Sequence, residues 1–146
     1  MPDKKTIKKA KEDKKEGKSP STQAGEFVKA EIDKIRKGEH GARSSKQAIA
    51  IGLNEARRAG VKLKTPKKGT VSEKTRKSAI SASKKAGEPI SATRSKARVK
   101  ALKKESTSAA SHKALSKQAH QAAKERTPAE RSASAKKAAK TRKKED

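Results

Sequence analysis

Eight cations fall close together in one stretch of this chain: Arg43, Lys46, Arg57, Arg58, Lys62, Lys64, Lys67 and Lys68. Their chemistry is that of phosphate neutralisation. Each Lys or Arg set against a phosphate releases a condensed counterion and adds affinity without reading a base. Between them stand Gln47 and Asn54, residue types that hydrogen-bond adenine in the major groove. The competing reading of these two is an ordinary solvated helix face. With no dimer signature and one aromatic residue, Phe27, that reading is preferred.

Other chemistry is poorly provided for. His40, His112 and His120 are the three histidines, none has another at i+4, and the chain has no Cys. A zinc site therefore lacks ligands at usable spacing, and His40 is expected in a solvated turn. No catalytic residue is assigned. A Ser-x-x-Lys pair such as Ser81 and Lys84 is expected by chance in a Ser/Lys-rich chain, and G-x-S-x-G is absent. Neither phosphate-loop pattern of glycines is present, and no cofactor, metal or small-molecule substrate is implied. Without Trp or Tyr, stacking on single-stranded bases is not available.

The elements that must position the cations are helices. Ser19-Pro20 reads as N-cap and first helical residue. Ala24, Val28, Ile32 and Ile35 then share one face, with Phe27 at its edge, and Gly38 is the stop. A helix over 20–37 follows. Gly38-Glu39-His40-Gly41 is a turn. Ser44 stands three before Gln47, the spacing of a capping box. Ala48, Ile49, Gly52, Leu53, Ala56 and Ala59 form the stripe of a second helix over 45–59. Gly60 ends it, with Val61 folding back on Ala56. The two stripes pack as a helical hairpin. So small a core predicts dimerisation or folding on the ligand. Ile51 points away from the Ile49–Leu53 stripe, so it reads either as a homodimer contact or as a lone exposed Ile.

The hairpin module spans 19–64. Before it, 1–18 reads as a charged flexible arm without a face to bury. After it, 65–146 is a Lys/Ala/Ser-rich tail with 24 Lys and Arg against seven Asp and Glu, a net +17. Its helix signals are Thr70 three before Glu73, the break at Gly87-Glu88-Pro89, and Thr127-Pro128-Ala129-Glu130 as a capping box. They place helices near 71–86, 91–104, 107–125 and 128–143. Val71, Ile80, Ile90, Val99, Leu102 and Leu115 are too sparse for a core. The tail is therefore expected to be disordered or transiently helical, firming up when phosphates neutralise its lysines. The fold class is mostly α.

Composition points the same way. The chain has 146 residues and a net charge of +26, from 42 Lys and Arg against 16 Asp and Glu. Ile, Leu, Val and Phe make up only 16 of the 146 residues. A share below about 20% with high net charge marks chains that do not build a core alone. Self-repulsion at this density is relieved by a polyanion. No apolar run approaches the roughly 20 residues of a membrane span, and no apolar segment follows the basic N-terminus as in a signal peptide. An intracellular, cytoplasmic protein is expected.

Two resemblances add to this. Thr65-Pro66-Lys67-Lys68 matches the [ST]-P-K-K element of linker-histone tails, and the tail resembles those of Lys/Ala-rich bacterial nucleoid proteins. The segment from Glu16 to Gly69, above all STQAGEFV (21–28) and HGARSSKQAIAIGLNEARRAGVKL (40–63), resembles a bacterial family of small basic proteins. That family is a domain of unknown function whose members are sometimes labelled DNA-binding or plasmid-stabilisation proteins.

The resulting expectation is a non-enzymatic, largely sequence-nonspecific DNA-binding protein of the bacterial nucleoid, histone-like in action. The eight cations would be its nucleic-acid-binding residues and duplex DNA its partner. Two alternatives stay open. One is a plasmid-maintenance or protein-interaction factor working through the hairpin. The other is an RNA- or ribosome-associated basic protein. An anionic membrane surface is disfavoured, because the basic helices lack bulky apolar faces.

Overall fold

The computed structural model describes residues 2–145, the side chain of Glu145 excepted. Among the described residues there are seven α-helices and no strand: α1 (Lys4–Lys15), α2 (Pro20–Arg36), α3 (Ser45–Arg58), α4 (Glu73–Lys84), α5 (Ala92–Leu102), α6 (His112–Glu125) and α7 (Pro128–Glu145). A single 3₁₀ turn, Ser108–Ala110, precedes α6. The chain divides into two compact units, Met1–Ser111 and His112–Asp146.

The α2–α3 hairpin is the centre of the first unit, and its local signals work as expected. Pro20 opens α2, and the Ser19 hydroxyl accepts from the Thr22 N–H. Ser44 Oγ accepts from Gln47 N at 3.1 Å, while Gln47 Oε1 accepts from Arg43 N at 2.7 Å. The first satisfies an orphan N–H of α3, and the second holds the residue just before the N-cap. Gly60 takes φ +98°, and Val61 N donates to Ala56 O at 3.0 Å. The two helices approach closely at Gly52. A Cβ there would stand 2.7 Å from Val28 Cα.

The arm forms a helix with a face of its own. Thr6 and Ala10 are buried, and Ile7 packs on the core of Ala10, Ala24, Phe27 and Ala56 together with Leu53, Val61 and Leu63. Alternating Lys pairs hide this face from a count of bulky residues, because Thr6 and Ala10 are small. Lys18 closes the α1–α2 turn on Asp13 at 3.2 Å and Glu16 at 3.1 Å.

α4 packs across α3. Asn54 Nδ2 donates to Ser78 Oγ at 3.1 Å. Ile51 lies one helical turn before Asn54 on that covered face and is 6% exposed. Its partner is therefore within the chain, and the motive for a dimer contact at Ile51 falls away. The N-cap of α4 is Ser72, which accepts from Thr75 N at 3.2 Å. Thr70, the expected cap, instead donates to Lys67 O at 2.6 Å. A second small core joins Ile35, Ala42 and Ala48 to Ala109 and Ala110. The segment after α5 is laced to the hairpin turn to form it. Gly41 N donates to Leu102 O, Ala42 N to Ser106 O, Ser45 Oγ to Ala109 O, and Arg36 Nε to Ala110 O.

In the second unit, Thr127 Oγ1 accepts from Glu130 N and Glu130 Oε2 accepts from Thr127 N, both at 3.1 Å. Arg131 ties the corner between α6 and α7 to Ala123 O and Arg126 O. No residue of α6 is buried.

The expectation of a disordered or transiently helical tail is thus corrected. Residues 65–146 carry four α-helices, close to the positions their caps marked. A low count of bulky residues measures the core that can be built. It does not measure helices sustained by Ala, Lys and Arg propensity and by capping.

Candidate nucleic-acid interface

The eight expected phosphate contacts separate into two exposed groups and, between them, the buried Arg57 and the half-buried Arg58. Arg43 and Lys46 are exposed at the N-terminal end of α3. Lys62, Lys64, Lys67 and Lys68 are exposed on the extended segment after α3. The 14 residues of α3 separate the two groups by about 20 Å at 1.5 Å per residue.

Arg57 and Arg58 lie between them and face inward. Arg57 is 6% exposed. Its Nη1 donates to Asn54 Oδ1 and its Nη2 to the Lys64 carbonyl, both at 3.2 Å. Burial pushes its pKa below the ordinary arginine value. This guanidinium fastens the segment after α3 to the helix, so it is spoken for before any phosphate arrives. Arg58 is half-buried, with Nη2 donating to Glu88 O at 3.4 Å. Gly87 N donates to the Arg58 carbonyl at 2.9 Å. That end of α3 thus pins the turn between α4 and α5.

The two residues able to read bases are also engaged. Gln47 holds Arg43 N just before the N-cap of α3, and Asn54 bridges Arg57 and Ser78 beneath α4. α3 is a central packing helix, and α4 occupies the face a groove would need.

His40 is not in a solvated turn. It is 8% exposed, with Nε2 2.7 Å from Glu31 Oε1 and Nδ1 2.8 Å from the Gly41 carbonyl. Glu31 is 2% exposed, and its Oε2 has no hydrogen-bond partner. Glu55 of α3 belongs to the same charged region. Burial first and the Glu31 carboxylate second raise its pKa above the ordinary 4.5. Among the described residues no group of three His, Cys, Asp or Glu could hold a metal ion.

Sequence reasoning gave the tail's cations to phosphate as a whole and singled out only Lys67 and Lys68 among them; the structure sets the others on helices. α5 and its C-terminal turn carry Arg94, Lys96, Arg98, Lys100, Lys103 and Lys104, all exposed. No carboxylate intervenes between Glu88 and Glu105. That gap was the available signal. Ser95, Lys96, Val99, Lys100 and Lys103 line a shallow recess of about 340 Å³. α7 carries Arg131, Lys136, Lys137, Lys140, Arg142, Lys143 and Lys144 around an exposed surface. These helices hold their exposed cations on a regular frame.

No protein-family model matches the chain, and neither does a curated protein or a solved structure. Among the described residues, no helix is long and apolar enough to cross a membrane.

Proposed function

We propose that this chain is a non-enzymatic DNA-binding protein, nucleoid-associated and histone-like, that grips duplex DNA by neutralising phosphates with little regard to sequence. The observation that carries the reading is α7. This 18-residue helix buries none of its described residues and carries seven cations. A helix without a buried face adds nothing to a core. Its cations stand where a phosphate backbone can replace their counterions. Within the first unit, the exposed groups at both ends of α3 and the basic α5 carry the same chemistry. With Gln47 and Asn54 engaged internally, α3 offers no free base-reading group, which supports phosphate contact over sequence readout.

The test is competition between two duplexes of equal length and unrelated sequence for the full chain at one ionic strength. Affinities within about threefold of each other are expected, because phosphate geometry is common to both. A preference of about 10³-fold or more, the range of site-specific proteins, would overturn the nonspecific reading.

A further inference from the structure

We propose that α5 is the helix this protein lays into the major groove of duplex DNA, with Ala97 and Ala101 toward the base edges. The proposal rests on the DNA-binding reading above and names the part of the chain that makes the closest approach.

α5 is bare around most of its circumference. Among the described residues no other helix packs along it, and Leu102 is its sole buried residue. The rest of its circumference faces outward. At 100° per residue, Ala97 and Ala101 form a narrow strip away from Leu102. Lys96 and Lys100 run along one side of that strip, and Arg94 and Arg98 along the other. All six are exposed. The helix is therefore slender along this strip and cationic on both flanks.

That shape matches a groove rather than a flat run of phosphates. The B-form major groove is about 12 Å wide and admits an α-helix about 10–12 Å across. A strip of methyl groups can approach the base edges and touch thymine methyls. The two flanks then reach the phosphates of the two strands. Bulky residues on the strip would hold the helix out. α5 is also held at its far end. Leu102 is buried, and the Leu102 carbonyl accepts from Gly41 N at 2.9 Å, so docking draws on a positioned helix. α7 has cations but buries none of its described residues, so nothing seats it as Leu102 seats α5, and α3 is covered by α4.

The same geometry selects among duplexes. A-form RNA has a deep, narrow major groove that side chains cannot read, so a groove-seated α5 favours DNA.

The experiment compares full-length K96Q/R98Q/K100Q and A97Q/A101Q with the unaltered chain, by anisotropy titration on duplex DNA over a salt series. Gln preserves helix propensity, and circular dichroism checks that helicity is kept. The charge variant is expected to lower the magnitude of the log–log salt slope by about 2 to 3, at about 0.9 for each phosphate no longer neutralised. The alanine variant removes no charge, yet is expected to bind at least about tenfold more weakly and to lose part of the same slope. A duplex whose major groove is filled by glucosylated hydroxymethylcytosine is expected to abolish the difference between unaltered and variant chains. Duplex RNA is expected to bind more weakly than DNA. If the unaltered chain binds DNA steeply while both variants match it, the groove assignment is overturned and the broader reading stands. Equal affinity for duplex RNA likewise overturns the assignment alone. If the unaltered chain ignores DNA, both fall.

Discussion

His40 Nε2 stands 2.7 Å from Glu31 Oε1, and both side chains are shut away from solvent in a protein with a net charge of +26. The pair joins the turn after α2 to α2 itself. The Gly41 carbonyl can only accept, so Nδ1 donates to it, and the ring is fixed at both nitrogens. Gly41 in turn abuts the segment after α5, where a Cβ would fall on the Glu105 carbonyl. One buried polar pair thus organises the turn on which that segment is laced.

His40→Ala leaves Glu31 buried without its partner. Leaving a buried hydrogen-bonding group unpaired costs about 1–3 kcal/mol, a sizeable share of the roughly 5–15 kcal/mol typical of a domain. Urea unfolding followed by circular dichroism should show the midpoint falling steeply. A loss below about 1 kcal/mol would mean that the pair does not hold the turn.

Glu55 sets a pH dependence of defined sign. Its folded-state pKa is raised, by burial and then by Glu31, so the folded state binds more protons than the unfolded state. Its contribution is present below the unfolded value and is lost as pH climbs from about 4.5 through the folded value. Glu55→Gln should therefore flatten the decline in stability across that interval. Denaturant midpoints measured from about pH 4 upward check it; parallel curves for the two proteins would contradict it.

Arg57 and the exposed cations should separate by readout. Arg57→Gln removes the guanidinium from Asn54 and Lys64 and leaves those groups to find new partners. A loss of about 1–3 kcal/mol is expected, with the salt slope of DNA binding unchanged. Lys67→Gln together with Lys68→Gln should do the reverse, sparing stability and reducing the slope by about 2. Measuring both quantities on both variants decides whether each residue is structural or interfacial.

Gly52 offers a purely steric test. Alanine there would press against the Val28 backbone, where no flexible side-chain end can yield. Overpacking of this kind costs about 1–3 kcal/mol, although alanine is the better helix former. A thermal midpoint equal to or above that of the unaltered chain would show that α2 and α3 can part without loss.

The hairpin was legible because its signals are local: Ser19-Pro20, Ser44 with Gln47, and Gly60 with Val61 each act within one turn of helix. The helices of the tail were legible for the same reason, but their order was not. Thr127 and Glu130 cap each other without any help from a core. What the sequence hid was tertiary. Ile51 looked unpartnered because the helix that packs on α3 from well beyond it in the chain, α4, buries only small residues, Ala79 and Ala82. His40 looked solvated because its partner, Glu31, sits on the preceding helix. Arg57 and Lys64 look alike as cations, yet the first is buried against the carbonyl of the second. Charge counts assign an interface to a region, whereas burial decides which cations remain free to serve it.

The most direct measurement of the central claim is the salt dependence of duplex binding by the full chain, set beside a variant with Lys136, Lys137, Lys140 and Lys143 of α7 replaced by Gln. The unaltered chain should lose affinity steeply as salt rises, with a log–log slope several units in magnitude. The variant should show a slope smaller by about 3 to 4 units, at about 0.9 for each phosphate left unneutralised. A shallow slope in the unaltered chain, or an unchanged one in the variant, would contradict binding through the phosphates.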